Sequence, residues 1–239
     1  MTISILSFLP VLTGVFTVGL VLVLSGTKFE VKGVVGPYFG ALAVMFGLFA
    51  SLMAGDTWRQ ISLANGLLAK EVNLIRGINV LSEELSTGGN EIRELTRAYV
   101  EQDIDSERRH VSEGEISLAE LPALIGLQKR VLSLEGEPNL VVARIFNHVD
   151  ELRNSRTQRL EIKRNHSGPR KLAMLILLGA LTQLAIAMCH AGNKSAAIYT
   201  VGLFSIAFIL TLHFITVFDY PENFATVVDV SVLLEANMI

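Results

Sequence analysis

Four long hydrophobic stretches alternate with polar segments along this chain. None of them contains Lys, Arg, Asp or Glu, and they occupy residues 1–27, 33–55, 172–193 and 195–218. A helix needs about 20 mostly apolar residues to cross the hydrocarbon core of a bilayer, and a charged side chain at its centre costs about 2.5–3.5 kcal/mol. The pattern therefore predicts an all-α membrane protein with four transmembrane helices, at about residues 5–25, 36–55, 171–190 and 196–218.

The polar segment between the second and third spans, residues 56–169, has the pattern of a helical domain. Its first apolar positions recur every three or four residues, which predicts a helix continuous with the second span. These positions are Ile61, Ala64, Leu68, Val72, Ile75 and Ile78. A second helix is predicted to end near Asp105, where the sequence turns polar. The spans thus form two hairpins, residues 1–55 and 170–218, with the domain inserted between them and a tail at residues 219–239.

Basic residues beside the spans set the expected orientation. Four of them precede the third span, namely Lys163, Arg164, Arg170 and Lys171, whereas the short loops on the other side carry only Lys28, Lys32 and Lys194. Because Lys and Arg accumulate in cytoplasmic loops, the inserted domain and both termini are predicted to be cytoplasmic. The first stretch starts uncharged and lacks an Ala-x-Ala-like cleavage site, so we expect it to remain as a span rather than to be removed as a signal peptide.

The last helix of the inserted domain, residues 140–164, has an apolar face formed by Ile145, Val149 and Leu152. Charged side chains occupy its opposite face and its second half. We expect this charged set to face solvent or a partner, and it comprises Arg144, Glu151, Arg153, Arg156, Arg159, Glu161 and Lys163.

Charge and motif content exclude several classes of function. Residues 56–171 carry 17 basic and 18 acidic side chains, so a clustered basic surface for nucleic acid is not expected. Cys189 is the single cysteine, which precludes an internal disulfide, and no spacing of Cys and His predicts a metal site. The sequence lacks GxSxG, P-loop, HExxH and GxGxxG motifs, so we predict neither catalytic residues nor a cofactor.

Two polar side chains within the predicted spans are candidates for function. His213 and Gln183 lie in stretches where an ionisable or amide group is costly unless it faces the bundle interior or water. They could contribute to a pore or a proton relay. The alternative is a structural role, in which each ties helices together by a hydrogen bond, for His213 with Thr216 or Thr182.

The second span combines small residues with large, soft ones. Met45, Phe49 and Met53 recur every four residues on one face, next to Phe46. A ring of such side chains from several subunits would form a hydrophobic constriction that can gate by dewetting. Ordinary helix packing explains the same pattern, and the sequence leaves both interpretations open.

The segments that flank the spans carry a family resemblance. Asp56-Thr57-Trp58-Arg59 follows the second span, an Arg-rich helix at residues 152–164 precedes the third, and Asp219-Tyr220-Pro221 follows the fourth. From about Gly36 to the C-terminus this layout resembles the bacterial bestrophin-like membrane proteins. It is distantly similar to true bestrophins, which are pentameric chloride-conducting channels with four spans per subunit, an aromatic neck in the second span and an acidic-Pro-Phe segment after the fourth.

The resemblance implies roles for individual residues. Phe46, Phe49 and Met53 fall in the region of the bestrophin neck, and Asp219 with Pro221 falls at the acidic-Pro-Phe segment. Tyr220 separates the acid from the proline in this chain. The acidic cluster that binds calcium in animal members is not matched, so calcium gating is not expected.

The leading hypothesis is an oligomeric ion channel of the bacterial inner membrane, with the second span lining its axis. Its expected partners are the lipid bilayer, further copies of the chain (a pentamer by analogy) and inorganic ions, chloride among them, but not nucleic acid. Arg59 and Arg76 are expected to attract anions at a cytoplasmic vestibule. The rival hypothesis is a non-conducting scaffold or signalling protein, in which the helix at residues 144–164 binds a soluble partner.

Overall fold

The computed structural model describes most of the chain after residue 34 and a few earlier residues. The described parts are residues 12, 14–16, 19, 35–113, 121–134, 136–164, 169–190, 193–219 and 228–236. All regular secondary structure within them is helical. The helices are α1 (Val35–Glu83), α2 (Gly89–Glu113), α3 (Pro122–Leu132), α4 (Asn139–Arg164), α5 (Pro169–Cys189), α6 (Lys194–Asp219) and α7 (Val232–Ala236).

Three of these helices are long and apolar enough to cross a membrane. They contain the candidate spans Tyr38–Glu83, Lys171–Cys189 and Lys194–Thr216. The first of them extends far beyond the uncharged residues 36–55, because α1 continues without a break to Glu83. Most of the predicted span at residues 5–25 lies outside the described residues.

The chain divides into two compact units. The first comprises Met1–Trp58 and Ser167–Asp219, and the second comprises Arg59–His166 and Tyr220–Ile239. The core of the first unit forms where α1, α5 and α6 bury apolar side chains against one another, among them Phe46, Leu175, Phe208 and Leu212. A smaller cluster includes Ile186, Ala187, Ala197 and Val201.

Hydroxyl groups on the apolar helices bond within their own helix. The Thr182 hydroxyl donates to the Leu178 carbonyl at 2.7 Å, and the Thr216 hydroxyl donates to the Leu212 carbonyl at 2.8 Å. Such bonds to the carbonyl four residues earlier satisfy a polar group without help from another helix. Both residues are buried, and their hydroxyls are satisfied within their own helices.

The second unit has its own core, formed by the amphipathic faces predicted from the sequence. Ile61, Ala64, Leu68, Val72, Ile75 and Ile78 of α1 are all buried, as are Ile145, Val149 and Leu152 of α4. These faces are confirmed. Leu233 of α7 and Val228 and Val230 before it join the same core.

A carboxylate fixes the loop between α1 and α2. Glu137 accepts hydrogen bonds from the Ser86 and Thr87 backbone amides, at 3.0 and 2.6 Å, and from the Thr87 hydroxyl at 2.7 Å. These bonds, the one from the hydroxyl above all, hold the pKa of Glu137 below its usual value. Gly88 follows with φ of +79°, a conformation that suits glycine.

The predicted end of the second helix near Asp105 is wrong, because α2 continues to Glu113. Asp103 and Glu107 on this helix are buried rather than solvated. Both carboxylates accept hydrogen bonds from Arg159 of α4, which compensates their negative charge. The polar residues that suggested a loop are therefore part of a packed helix.

Candidate functional site

The four constriction candidates differ in their environments. Met45 is 52% exposed at the surface of its chain, whereas Phe46 and Met53 are buried. Phe49 is partly buried and packs against the core of the first unit. Of the four side chains, Met45 and Phe49 therefore remain the more accessible to a second subunit or to a central axis.

Phe46 belongs to an aromatic cluster with two rings of α6. Its ring centroid lies 5.3 Å from those of both Phe204 and Phe208, and it meets the Phe208 ring edge to face at 89°. Such pairs are worth about 0.5–1.5 kcal/mol beyond the area that they bury. In this structure Phe46 therefore holds α1 against α6.

The two intramembrane polar candidates are placed differently. Gln183 is buried and its amide nitrogen donates to the Ser205 hydroxyl at 2.9 Å, which links α5 to α6. Gly14 lies beside this pair, since a Cβ at Gly14 would be 2.6 Å from the Ser205 oxygen. His213 is exposed on its chain, and neither Thr182 nor Thr216 bonds to its imidazole among the described contacts.

Of the remaining predicted site residues, Arg59 and Arg76 belong to the second unit, whereas Asp219 is the last residue of the first. Arg59 and Arg76 are both exposed. Arg59 lines a shallow cleft with Leu63 and Glu161, and Arg76 lines another one with Arg144. Asp219 is the last residue of α6, and Pro221 lies outside the described residues.

The sequence analysis missed a network of six charged side chains inside the second unit. Three are acids, Glu71 of α1 with Asp103 and Glu107 of α2, and three are bases on α4, namely Arg156, Arg159 and Lys163. Each has at most 8% of its side chain exposed. The prediction that Arg156, Arg159 and Lys163 face solvent or a partner is therefore wrong.

Arg159 is the centre of this network. Its guanidinium donates to Glu71 at 2.9 and 3.2 Å, to Asp103 at 2.6 Å and to Glu107 at 2.6 Å. Arg156 donates to Asp103 at 2.7 Å, and Lys163 donates to Glu107. A planar guanidinium offers five N–H donors in a fixed geometry, so a single arginine can bind three carboxylates where a lysine could not match the geometry.

A sequence signal for the network exists. The apolar stripe of α4, Ile145, Val149 and Leu152, continues at the same spacing through Arg156, Arg159 and Lys163. On α2 the stripe through Ile92, Thr96 and Tyr99 continues through Asp103 and Glu107. Charges of opposite sign that continue two apolar stripes indicate buried pairs, because isolated buried charges are too costly.

Burial raises the pKa of one acid of this network, Glu71, and of the neighbouring Tyr99. Desolvation raises the pKa of Glu71 from 4.5 to about 7, although Arg159 opposes the shift. Tyr99 is fully buried near Glu71 and Asp103, and desolvation raises its pKa well above the usual value. Its hydroxyl has no hydrogen-bond partner among the described residues.

We expect Glu71 to make the free energy of unfolding depend on pH. Its folded-state pKa is raised, so its favourable contribution is complete below about pH 4.5 and is lost as the pH rises to about 7. A Glu71→Gln variant lacks this loss. Its free energy of unfolding, relative to wild type, should therefore rise between pH 5 and pH 8, as measured by chemical denaturation in detergent. Glu101→Gln, at an exposed position, is the control. A constant difference in the free energy of unfolding between Glu71→Gln and wild type across this range would contradict the prediction.

Comparison with known proteins places the chain in a family. The family model described as the bestrophin-like domain matches residues 6–231. The chain belongs to the bestrophin-like family. This bestrophin-like protein is therefore a member of a family of membrane ion channels, which agrees with the expectation that it is not an enzyme.

Solved structures share the fold of this bestrophin-like protein. A single-residue variant of a bacterial bestrophin homologue from Klebsiella pneumoniae superposes with a TM-score of 0.75 at 12% identity, covering 99% of this chain and 100% of that one. A second crystal structure of a bacterial bestrophin homologue from that organism, phased with zinc, gives 0.70 at 13% identity and covers 98% and 97%. A comparison with curated protein sequences finds no match.

Proposed function

We propose that this bestrophin-like protein forms a homo-oligomeric, anion-conducting channel of the bacterial inner membrane. Its four spans form two hairpins, the segment after the second span lies in the cytoplasm as a helical domain, and both termini are cytoplasmic. The second span, within α1, lines the central axis. Met45 and Phe49 are the residues that we assign to the constriction.

The uncovered surface of α1 supports this proposal. In the most apolar 18-residue segment of α1 only 6% is buried in its own chain, whereas 50% of the corresponding segment of α5 is buried. Val44, Met45, Leu48 and Leu52 are all more than half exposed. An apolar surface this large is covered by lipid or by other subunits, and in the proposed oligomer α1 is the helix nearest the axis.

Phe49→Ala should raise the anion flux. If the Phe49 ring narrows a dewetted constriction, its removal widens the constriction and lowers the barrier to ion entry. The measurement is single-channel or liposome-flux recording of the purified protein under chloride gradients and then under potassium gradients. Chloride flux that increases in the variant supports both the channel and the assignment of Phe49.

Phe46→Ala is the matched control. It removes the same kind of ring three residues earlier on α1, from the aromatic cluster with Phe204 and Phe208. We expect it to destabilise the packing of α1 on α6 without a selective increase in flux, and Met45→Ala serves as a second test of the exposed face. Flux that is unchanged by Phe49→Ala would reject the assignment of the constriction. No flux from well-folded oligomers would reject the channel.

The scaffold hypothesis has lost part of its support. It requires α4 to present its charges to a soluble partner, but Arg156, Arg159 and Lys163 are occupied by carboxylates of the same unit. Arg144, Glu151 and Glu161 remain exposed on α4. Arg144 and Glu151 line one cleft and Glu161 lines another, so they do not share a single recess.

A further inference from the structure

A basic cleft lies between α1 and α4 in the second unit. Its volume is about 600 Å³, and its lining combines Arg76, Gly77, Val80 and Leu81 of α1 with Arg144, Asn147, His148 and Glu151 of α4. Arg76 and Val80 are four residues apart on one helix, as are Arg144 and His148 on the other, so each pair lies on one helix face. Two facing helix surfaces therefore form this cleft.

A glycine in its wall, Gly77 of α1, lies against the His148 side chain of α4. A Cβ at Gly77 would lie 3.1 Å from two atoms of the His148 ring. That distance is shorter than ordinary van der Waals contact, so a larger residue would displace the imidazole. Gly77 thus allows His148 to reach the wall of the cleft.

The cleft has an excess of positive charge. Among the described residues, neither Arg76 nor Arg144 pairs with a carboxylate, although both line the same cleft. Its one acid, Glu151, pairs instead with Lys70 at 2.9 Å. Two guanidiniums without a protein anion favour an anionic ligand, and guanidinium geometry matches phosphate oxygens in a bidentate arrangement.

The rest of the lining indicates an organic ligand rather than an inorganic ion. Val80 is 55% exposed at the wall of the cleft, and Leu81 lies beside it. The volume of the cleft falls within the range of small-molecule sites, which combine apolar surface with a few polar groups that fix orientation. A chloride ion would leave most of this space and the apolar wall unused.

We propose that this cleft binds a phosphorylated small molecule, with Arg76 and Arg144 holding the phosphate and Val80 and Leu81 contacting the organic part. Asn147 and His148 provide further donors beside the phosphate. The site is distinct from the proposed constriction, and it does not depend on whether the protein conducts. Arg76, expected from the sequence to attract permeating anions, is in this proposal a ligand-binding residue.

The test is calorimetric titration of the purified full-length protein in a chloride-free gluconate buffer. The probes are adenosine monophosphate, inorganic phosphate, adenosine and a short-chain phosphatidic acid. We expect adenosine monophosphate to bind more tightly than inorganic phosphate, and adenosine not to bind. Tighter binding of phosphatidic acid than of adenosine monophosphate would identify the ligand as a lipid headgroup and overturn a soluble one.

Variants at the two arginines show where binding occurs. The double variant Arg76→Gln, Arg144→Gln should bind adenosine monophosphate about tenfold more weakly or worse, because two charge-assisted contacts are lost. The control is Arg93→Gln, Arg97→Gln, which removes the same charge from exposed arginines that pair with Glu83 and Glu101. Equal loss in both double variants, or no binding by a wild-type protein with a helical circular dichroism spectrum, would overturn the proposal.

Discussion

Replacing Arg159 by Ala should lower the free energy of unfolding by about 3–5 kcal/mol, the cost of breaking a buried ion pair by removing one partner. The side chain is 1% exposed and bonds to three carboxylates. Its loss removes both hydrogen bonds that Arg159 donates to Glu71, whereas Asp103 keeps Arg156 and Glu107 keeps Lys163. Chemical denaturation in detergent, followed by circular dichroism, measures the difference.

The size of this loss should depend on pH. Arg159 is the largest factor that lowers the pKa of Glu71, so its removal raises that pKa further above 7. The free energy of unfolding of the variant therefore continues to decrease above pH 7. In the wild type, Glu71 no longer changes the free energy of unfolding in that range. We expect a larger deficit at pH 8.5 than at pH 6.

Two other variants separate the network from a general effect of charge. Arg97→Ala removes an exposed arginine that pairs with Glu101 and should change the free energy of unfolding by less than about 0.5 kcal/mol. Arg159→Lys keeps the charge but loses the bidentate geometry. Its free energy of unfolding should therefore lie between those of wild type and Arg159→Ala. If Arg159→Ala matched Arg97→Ala, Arg159 would be solvated rather than buried.

Apolar periodicity predicted the buried faces of α1 and α4, because the spacing of apolar residues is a local property of the sequence. The apolar stripe of α1, from Ile61 to Ile78, is buried as its spacing predicted. The same holds for the stripe of α4, from Ile145 to Leu152. The same rule failed where the stripe becomes charged. Arg159 is buried because Glu71, Asp103 and Glu107 meet it from two other helices, and this compensation depends on tertiary structure.

The candidate constriction shows a related limit. Spacing placed Met45, Phe49 and Met53 on one face of the second span, but spacing cannot say which neighbour covers a residue. Met53 is buried with Phe46 in the core of its own unit, whereas Met45 is exposed. Every side of a membrane span is apolar, so the sequence does not distinguish the side that packs on its own chain from the side that meets lipid or another subunit.

Gly179→Ala should destabilise the contact between α5 and α6 by about 1–3 kcal/mol, the usual cost of overpacking a core. A Cβ at Gly179 would overlap three atoms of the Phe208 ring. Phe208 is fully buried and also contacts Phe46 and Phe204, so these two rings restrict the movement of the Phe208 ring. The unfolding midpoint in detergent, by temperature or denaturant, measures this loss.

A second glycine provides the matched control for this substitution. Among the described residues, nothing lies within 4 Å of a Cβ at Gly202, on the adjacent helix α6. Alanine is the better helix former by about 0.8–1 kcal/mol, so Gly202→Ala should leave stability unchanged or raise it. The two substitutions are chemically identical, and opposite effects would therefore report the close approach at Gly179 rather than a general effect of alanine.

A compensating change tests the contact itself. Phe208→Leu removes the part of the ring that a Cβ at Gly179 would meet, so Gly179→Ala should cost less in the Phe208→Leu background than in wild type. That coupling is expected only if the two residues touch, because substitutions at distant sites add independently. Additive effects of the two substitutions, or a Gly179→Ala variant as stable as Gly202→Ala, would contradict the packing of α5 on α6 at this position.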